Sequence, residues 1–576
     1  MPISENHHGV NFSKLLPSCS YSPRDFENES ESPMLYPRGF LICKQPNLKI
    51  TPYFSQRPLS HGFYLYTHQL LNIEFGFSDS VRITILGTSV FCNEVKKSNV
   101  AQILAETFSK QGREKFLDTL DFLGGRFIVI LETDSEMKIF PDACAMKTVF
   151  YSPKNQVAGS HLDLVNMIAN ADLSEPEKHF REKNYVYTYA FVGNYTKYEN
   201  IFMLIPDFEL SLDDFSTSRF YPRHKITRGK NLYAIKQELF EALQVEFQNL
   251  KLKTDKDIAF SITGGFDSRV SFYATQKYNH DCLFLTEDRD ADIDIAAVLA
   301  KKFELNWIAA DIKDLHWQDN KYFHAFNRIV KDKIFPHTST GALATQFWTM
   351  NVIPRQMIHI HSNTTEVGRG RGNDYEFAFL SKDYSFETFY DAYINSTIAW
   401  RSDEIKQNQK PMMVSDEKLR AWFRKYFDEL DMKKFIDLGY NPWDLMYAEQ
   451  HCAGMLFGIH QYNDSIFESV SLTNCHRVFE ILFQVPEEYV NRSYLLYSCI
   501  MNEHDPVNQN IFMGADFKPS PRDLENYALV YGGYLSFNHA KSWQRIFDIC
   551  SGALSVNPTI KWAKDHLEKA KKNLGM

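Results

Sequence analysis

The sequence contains no Gly-x-x-x-x-Gly-Lys-Ser/Thr segment anywhere in its 576 residues, which excludes a Walker-type phosphate loop. It has no Cys-x-x-Cys pair either. The nine cysteines are scattered and odd in number, a distribution that predicts reduced, mostly buried thiols in a cytosolic setting rather than disulfides. No apolar segment approaches the roughly 20 residues that a membrane-spanning helix needs. The opening Met1-Pro2-Ile3-Ser4-Glu5-Asn6-His7-His8 lacks a basic region followed by an apolar run, so a soluble, cytoplasmic protein is expected. An excess of basic charge is also missing: 63 Lys and Arg stand against 72 Asp and Glu, net −9, which gives no general attraction for nucleic acid or an anionic membrane.

Hydrophobic residues make up 44% of the chain and aromatics 15%, the composition of a globular protein, and the length allows two or three domains that each bury most of their unfolded surface. Residues 1–35 are polar and turn-rich. Neither Ser20-Tyr21-Ser22-Pro23-Arg24 nor Glu27–Pro33 shows a helical or strand period, so a flexible N-terminal segment is expected. From Gly39 short β-type runs follow: Phe40–Cys43, Phe63–Tyr66, Val81–Leu86, Phe127–Leu131 and Lys138–Phe140, with helices near Ser98–Lys110 and Arg113–Leu120. They predict an antiparallel β-rich domain over residues 36–225. The turn-like Pro222–Lys230 is the expected linker. Apolar residues at Leu232, Ile235, Leu239, Leu243 and Phe247 then predict a helix over Asn231–Leu250, opening a second domain over 231–576.

That domain is organised around Asp257–Asp311. Ile258–Ile262 is short, apolar and bounded by charges, hence a buried strand, and Ser268–Tyr278 reads as a helix. Cys282–Thr286 and Asn306–Ile312 read as further strands, with a helix over Ala291–Phe303 between them. Strands alternating with helices imply a parallel sheet with ligands at the carboxyl ends of its strands. Thr263-Gly264-Gly265-Phe266-Asp267-Ser268 lies at such an end. Its adjacent glycines allow close backbone approach, while its hydroxyls and the following helix N-terminus offer donors to an anion. A carboxylate at Asp267 repels phosphate unless a divalent cation stands between them, as magnesium does when held by one or two carboxylates plus phosphate oxygens. A nucleotide with a divalent metal is the expected ligand. The candidate nucleotide contacts are Ser261, Thr263, Gly264, Gly265, Asp267, Ser268 and Thr286.

This loop resembles the Ser-Gly-Gly-x-Asp-Ser pyrophosphate loop of the asparagine synthetase and ATP pyrophosphatase enzymes, with Thr263 keeping the first hydroxyl. Upstream, Leu123-Gly124-Gly125-Arg126-Phe127, then Asp142, Val149-Phe150-Tyr151 and Ala158-Gly159-Ser160, resemble in order the glutaminase-like N-terminal domain of asparagine synthetases. Gly193, Thr196, Ile201, Leu204, Pro206 and Tyr221-Pro222 resemble that family's passage into its second domain. The resemblance implies an α/β protein: an N-terminal Ntn-type αββα sandwich followed by a PP-loop ATP pyrophosphatase domain with a parallel sheet and a helical C-terminal part. Family members that hydrolyse glutamine carry a cysteine directly after the initiator Met. Pro2 stands there and has no side-chain nucleophile, so unless processing exposes another residue such as Ser4, the resemblance points to β-lactam synthetase and lasso-peptide cyclase types, which do not use glutamine.

Further along, alternation at Ile358 and Ile360 predicts a strand ending near His361, followed by a loop carrying Glu366, Arg369 and Arg371. In the resembled family an Asp-Glu motif here helps hold magnesium and pyrophosphate. Glu366 stands without an adjacent Asp, so Asp267 and Glu366 are the implied metal ligands, and Arg369 and Arg371 suit departing pyrophosphate. His359 and His361 have same-face strand spacing, which fits either metal ligation or buried, hydrogen-bonded histidines. Asp444, Tyr447 and His451 share a face of an expected helix and resemble the family's acceptor-side helix; a core helix with a polar edge is the other account. Lys518 is the implied C-terminal catalytic lysine, and Pro558–Met576 reads as a solvated amphipathic helix. The catalytic set is thus Lys518, Glu366 and Tyr447.

The implied function is an ATP-dependent C–N ligase. It would activate a small-molecule or peptide carboxylate as an acyl-adenylate, release pyrophosphate, and pass the acyl group to an amine acceptor without nucleic-acid or membrane partners. The alternatives are a nucleotide-binding pseudoenzyme and a PP-loop enzyme of thiolation or RNA modification. The substrate and the oligomeric state are not encoded in any motif.

Overall fold

The Leu123–Glu132 strand is buried along its whole length, because each of its faces meets a different layer. It pairs antiparallel with Val81–Phe91, from Arg82↔Glu132 to Phe91↔Leu123. On one face Ile83, Ile85, Val129 and Leu131 join Val100, Ala101, Leu104 and Ala105 of the Val100–Gln111 helix. On the other, Leu86, Ile128, Ile130 and Ile139 meet Phe40, Ile42, Leu65 and Ala158 of a second sheet. A strand covered on both sides reads as a continuous apolar run rather than an alternating one. Each of these fully buried aliphatic side chains contributes roughly 1.5–3 kcal/mol of transfer free energy.

A computed structural model describes residues 21–485 apart from 23, 184, 186–192, 264–265, 288–289, 311–316, 332, 334–339, 354–356, 369–382 and 399–413, with isolated positions 551, 564, 567–568 and 571–572. Within it the protein is mixed α/β with three sheets. The first has six strands in the order Phe202–Met203, Phe150–Ser152, Val157–Gly159, Phe40–Cys43, Tyr64–His68 and Phe54–Pro58. The second, also six-stranded, runs Thr217–Arg219, Phe208–Ser211, Met137–Pro141, Leu123–Glu132, Val81–Phe91 and Ile73–Ser78. They pack face to face. The Leu162–Ala169 helix covers the outer face of the first and the Val100–Gln111 helix that of the second. Arg113–Leu120 is helical as expected, and Gly112 at φ +82° ends one helix and starts the next.

The third sheet is parallel and five-stranded: Asn306–Ala310, Leu283–Glu287, Ile258–Ser261, Ile358–Ile360 and Glu468–Val470. In chain order this is 3-2-1-4-5, so the winding direction reverses between Ile258–Ser261 and Ile358–Ile360. The Leu232–Lys253 helix, capped by Asn231 accepting from the Tyr233 amide at 2.8 Å, delivers the chain to the central strand. Phe266–Thr275 and Asp290–Phe303 are the helices of the two crossovers.

Two expectations change. Tyr21–Leu35 was expected to be flexible, yet Tyr21, Phe26 and Met34 are buried. Phe26 meets Tyr322 and Phe347 edge-on at 5.6 and 6.3 Å, and Glu29 pairs with Arg328 at 2.7 Å. Three large side chains spaced irregularly anchor a segment that has no period to betray it. Farther on, Pro442–Met446 is α-helical but Tyr447–Cys452 is a π-helical turn. The wider turn breaks the spacing on which a shared face for Asp444, Tyr447 and His451 depends. Among the described residues no helix is long and apolar enough to cross a membrane. Most of Pro558–Met576 lies outside the described residues.

Candidate functional site

The switch in strand order opens a crevice at the carboxyl ends of the two strands that flank it, the position where open α/β sheets bind ligands. A cleft of about 220 Å³ occupies it, lined by Ser261, Thr263, Asp267, Ser268, Leu285, His361 and Ser362. The first four come from the central strand and the loop and helix after it; His361 and Ser362 follow the fourth strand. Its small volume, below the roughly 300–1,000 Å³ of sites for whole drug-sized ligands, suits a phosphate group rather than a complete nucleotide.

The loop is closed on itself by hydroxyls. The Thr263 amide donates to Ser268 Oγ at 3.1 Å, and the two hydroxyls share a hydrogen bond at 3.0 Å. Ser268 thereby ties the helix start to the strand end. Asp267, in the first turn of Phe266–Thr275, accepts a hydrogen bond from the Thr365 hydroxyl. This contact joins the loop to the 3-10 turn Thr365–Gly368 that follows the fourth strand. Thr365 was not singled out in the sequence; the polar run Ser362-Asn363-Thr364-Thr365 after an apolar strand was the available signal.

Three histidines stand behind the cleft. His359 is buried, shares a hydrogen bond at 2.8 Å with Ser261 Oγ and lies 4.4 Å from the Phe467 ring. Burial pushes His359 and His460 well below the usual imidazole range. Burial also takes His361 down to about 4, against the opposing attraction of the Asp267 carboxylate. The Asn363 amide nitrogen reaches His361 Nδ1 at 3.3 Å and His460 Nε2 at 3.4 Å. With Nδ1 accepting, a neutral His361 carries its proton on Nε2 and can donate it to an anion. His359 is hydrogen-bonded through Nε2 while its buried Nδ1 has no partner among the described residues, and neither His359 nor His361 belongs to a three-residue metal-type cluster among the described residues. Ser362 Oγ is buried with no hydrogen-bond partner among the described residues, so the cleft holds an unsatisfied polar group.

The remaining expected site residues are placed as follows. Thr286 is buried, with its hydroxyl donating to the Ile262 carbonyl at 2.6 Å and accepting from Trp307 Nε1 at 2.9 Å, so it braces two strands and does not line the cleft. Glu366 sits in the 3-10 turn beside Thr365, its side chain outside the described residues. Tyr447 is buried in the π-helical turn and is not among the described residues lining the cleft. Asp444 pairs with Arg228 at 2.5 Å. Gly264, Gly265, Arg369, Arg371 and Lys518 lie outside the described residues.

The first sheet's Phe40–Cys43 strand follows a turn in which the Gly39 amide donates to Tyr36 O at 3.0 Å and the Arg38 guanidinium donates to Leu70 O at 2.6 Å. No protein-family model matches the chain, and no curated protein sequence matches it.

Proposed function

We propose that the cleft binds the phosphates of ATP with Mg2+ and that the protein is an AMP-forming, amide-forming ligase of the asparagine synthetase type. The observation that carries this reading is the convergence of Ser261, Thr263, Ser268 and Ser362 with one carboxylate, Asp267, on a cleft at the switch point of a parallel sheet. Hydroxyls and a neutral His361 suit phosphate oxygens, and the unsatisfied Ser362 Oγ suits a ligand that completes its hydrogen bonding. An all-oxygen donor set with a carboxylate fits a hard cation, so Asp267 would hold the metal. Bound there, magnesium supplies charge neutralisation between the triphosphate and an incoming substrate carboxylate.

In this reading the substrate carboxylate attacks the α-phosphorus, pyrophosphate leaves, and an amine then attacks the acyl-adenylate and expels AMP. The chain's own task is positioning: the loop hydroxyls orient the phosphates, and the Thr365 contact orients Asp267. The face-to-face antiparallel sheets would be an Ntn-type αββα domain and the parallel sheet a PP-loop domain.

The test is AMP release and carboxylate-dependent ATP–pyrophosphate exchange across a panel of carboxylates with and without ammonia and amines. Exchange in the parent chain and none in Asp267→Asn is the expected pair of results. Unchanged exchange in Asp267→Asn refutes the metal assignment. ATP binding without AMP formation on any carboxylate would leave a nucleotide-binding pseudoenzyme as the reading.

A further inference from the structure

Outside the residues that line the cleft, Cys92, Glu246 and Cys475 bring their ligand atoms within 4.8 Å of one another, and all three residues are buried. They come from three separate parts of the chain. Cys92 follows the Val81–Phe91 strand, Glu246 lies on the Leu232–Lys253 helix, and Cys475 is the N-cap of the His476–Phe483 helix. The first belongs to the antiparallel half and the other two to the half that carries the parallel sheet.

Glu246 is the anomaly. It is 0% exposed; the Cys475 thiol faces it, and no N–H or hydroxyl group among the described residues donates to either carboxylate oxygen. A buried carboxylate without donors costs several kcal/mol unless it is neutralised or paired with a cation. Space has nevertheless been kept for it: a Cβ at Gly124 would overlap the Glu246 carboxyl group. Beside it the Cys92 and Cys475 sulfurs lie 3.7 Å apart. Two thiolates at about 2.3 Å from a tetrahedral zinc ion stand about 3.8 Å apart, so the sulfurs already span one edge of such a site. A thiol–thiol contact alone would explain that spacing but would leave Glu246 unsatisfied.

We propose that Cys92, Cys475 and Glu246 form a zinc site that clamps the antiparallel half of the protein to the parallel half. Binding releases the two thiol protons and the proton of the buried Glu246 carboxyl, and puts the cation in their place. Two thiolates and a carboxylate leave one excess negative charge around a divalent ion, which the positive N-terminal end of the His476–Phe483 helix partly offsets. The Cys475 sulfur also lies 3.4 Å from the Asp121 carbonyl, which accepts from the Arg477 amide at 2.9 Å. Thiolate ligands favour zinc over magnesium or calcium, so this site is chemically separate from the cleft. It also lies on the helix that feeds the central strand, which makes it a structural clip under the loop rather than part of it.

The experiment uses the full-length chain, reduced, stripped with a chelator, and titrated with Zn2+ alone and with Co2+ alone. One zinc per chain retained through gel filtration is expected, together with a thiolate-to-cobalt absorption band in the cobalt form. Cys92→Ser and Cys475→Ser should remove the band, and Glu246→Gln should weaken zinc retention by more than about tenfold. Cys43→Ser should keep both. If the thiol variants do not fold, the unmutated chain still decides, because stripping should lower its melting temperature and Zn2+ should restore it. A reduced chain that retains no zinc and shows no thiolate–cobalt band overturns the proposal. So does a Cys92–Cys475 disulfide in the chain as isolated, read by mass under non-reducing conditions.

Discussion

Arg126 and Asp464 meet fork to fork across the boundary between the two halves, Nη1 to Oδ1 at 2.6 Å and Nη2 to Oδ2 at 2.7 Å, with both side chains buried. Burial alone would raise the Asp464 carboxyl, but the Arg126 and Lys147 charges hold it below the usual carboxylate range. The Asn474 amide makes a parallel link, donating to Gly125 O at 2.7 Å and to Asp142 Oδ1 at 2.8 Å. The two halves are therefore locked by polar groups inside a shared apolar cluster.

Asp464→Ala should destabilise the protein by about 3–5 kcal/mol, because it strands a guanidinium in the interior. The paired replacement Arg126→Met with Asp464→Leu should recover part of that loss, since neither member of the pair is then left buried without the other, although Lys147 still loses the Asp464 charge. Urea unfolding of the parent, single and double variants measures both. A single variant as stable as the parent would show that the pair is solvated.

His476 sits between Asp121 and Asp207, 3.2 Å from one and 2.9 Å from the other, with the Tyr221 ring stacked on it at 4.0 Å. Burial alone would lower its pKa, but the hydrogen bonds to both carboxylates win and raise it to about 10. The folded value lies above the unfolded one of about 6.5, so the contribution is fully present below that pH and is lost as pH rises towards about 10. Stability should decline over that window, and His476→Phe should flatten the decline. Denaturation curves between pH 6 and 10, with the imidazole followed by NMR, check it; an imidazole that titrates near 6.5 would contradict the pairing.

Ser268 holds the loop closed through both the amide and the hydroxyl of Thr263. Ser268→Ala should lower ATP–pyrophosphate exchange on the order of 10²-fold, the size of losing one positioned hydroxyl, with little change in melting temperature. Ser268→Thr keeps the hydroxyl and should retain part of the rate. Equal rates for the serine and alanine forms would remove the loop from the chemistry.

Gly76 lies on the Ile73–Ser78 strand where the Val100–Gln111 helix crosses it, and a Cβ there would overlap the Ala101 carbonyl and the Gln102 amide. Those are backbone atoms that cannot rotate away. Gly76→Ala should cost about 1–3 kcal/mol by pushing the helix off the sheet, read as a lowered urea midpoint.

The expected boundaries reveal what local sequence holds. Arg113–Leu120 and Phe40–Cys43 coincide with the observed elements, because each carries its own caps, breakers or apolar run. The expected Val81–Leu86 is shorter than the observed Val81–Phe91, since Gly87, Thr88 and Ser89 look like a turn and are strand only because Phe127, Arg126 and Gly125 pair with them. The Tyr21–Leu35 segment escaped for the opposite reason: its order is supplied entirely by the distant surface it covers.

The loop at the switch point was legible as a strand end followed by a helix start, because its carboxylate and hydroxyls are contiguous in the chain. The sequence by itself thus determined the strand–helix alternation and the side chains that one loop offers. Which other groups meet that loop was decided by the tertiary structure, through the reversal of strand order that sets His361 and Ser362 opposite Ser261 and Thr263. The same holds for Arg126 with Asp464 and for Cys92 with Glu246 and Cys475. Residues so far apart in the chain have no spacing to recognise; they become neighbours only when burial of apolar surface brings their elements together.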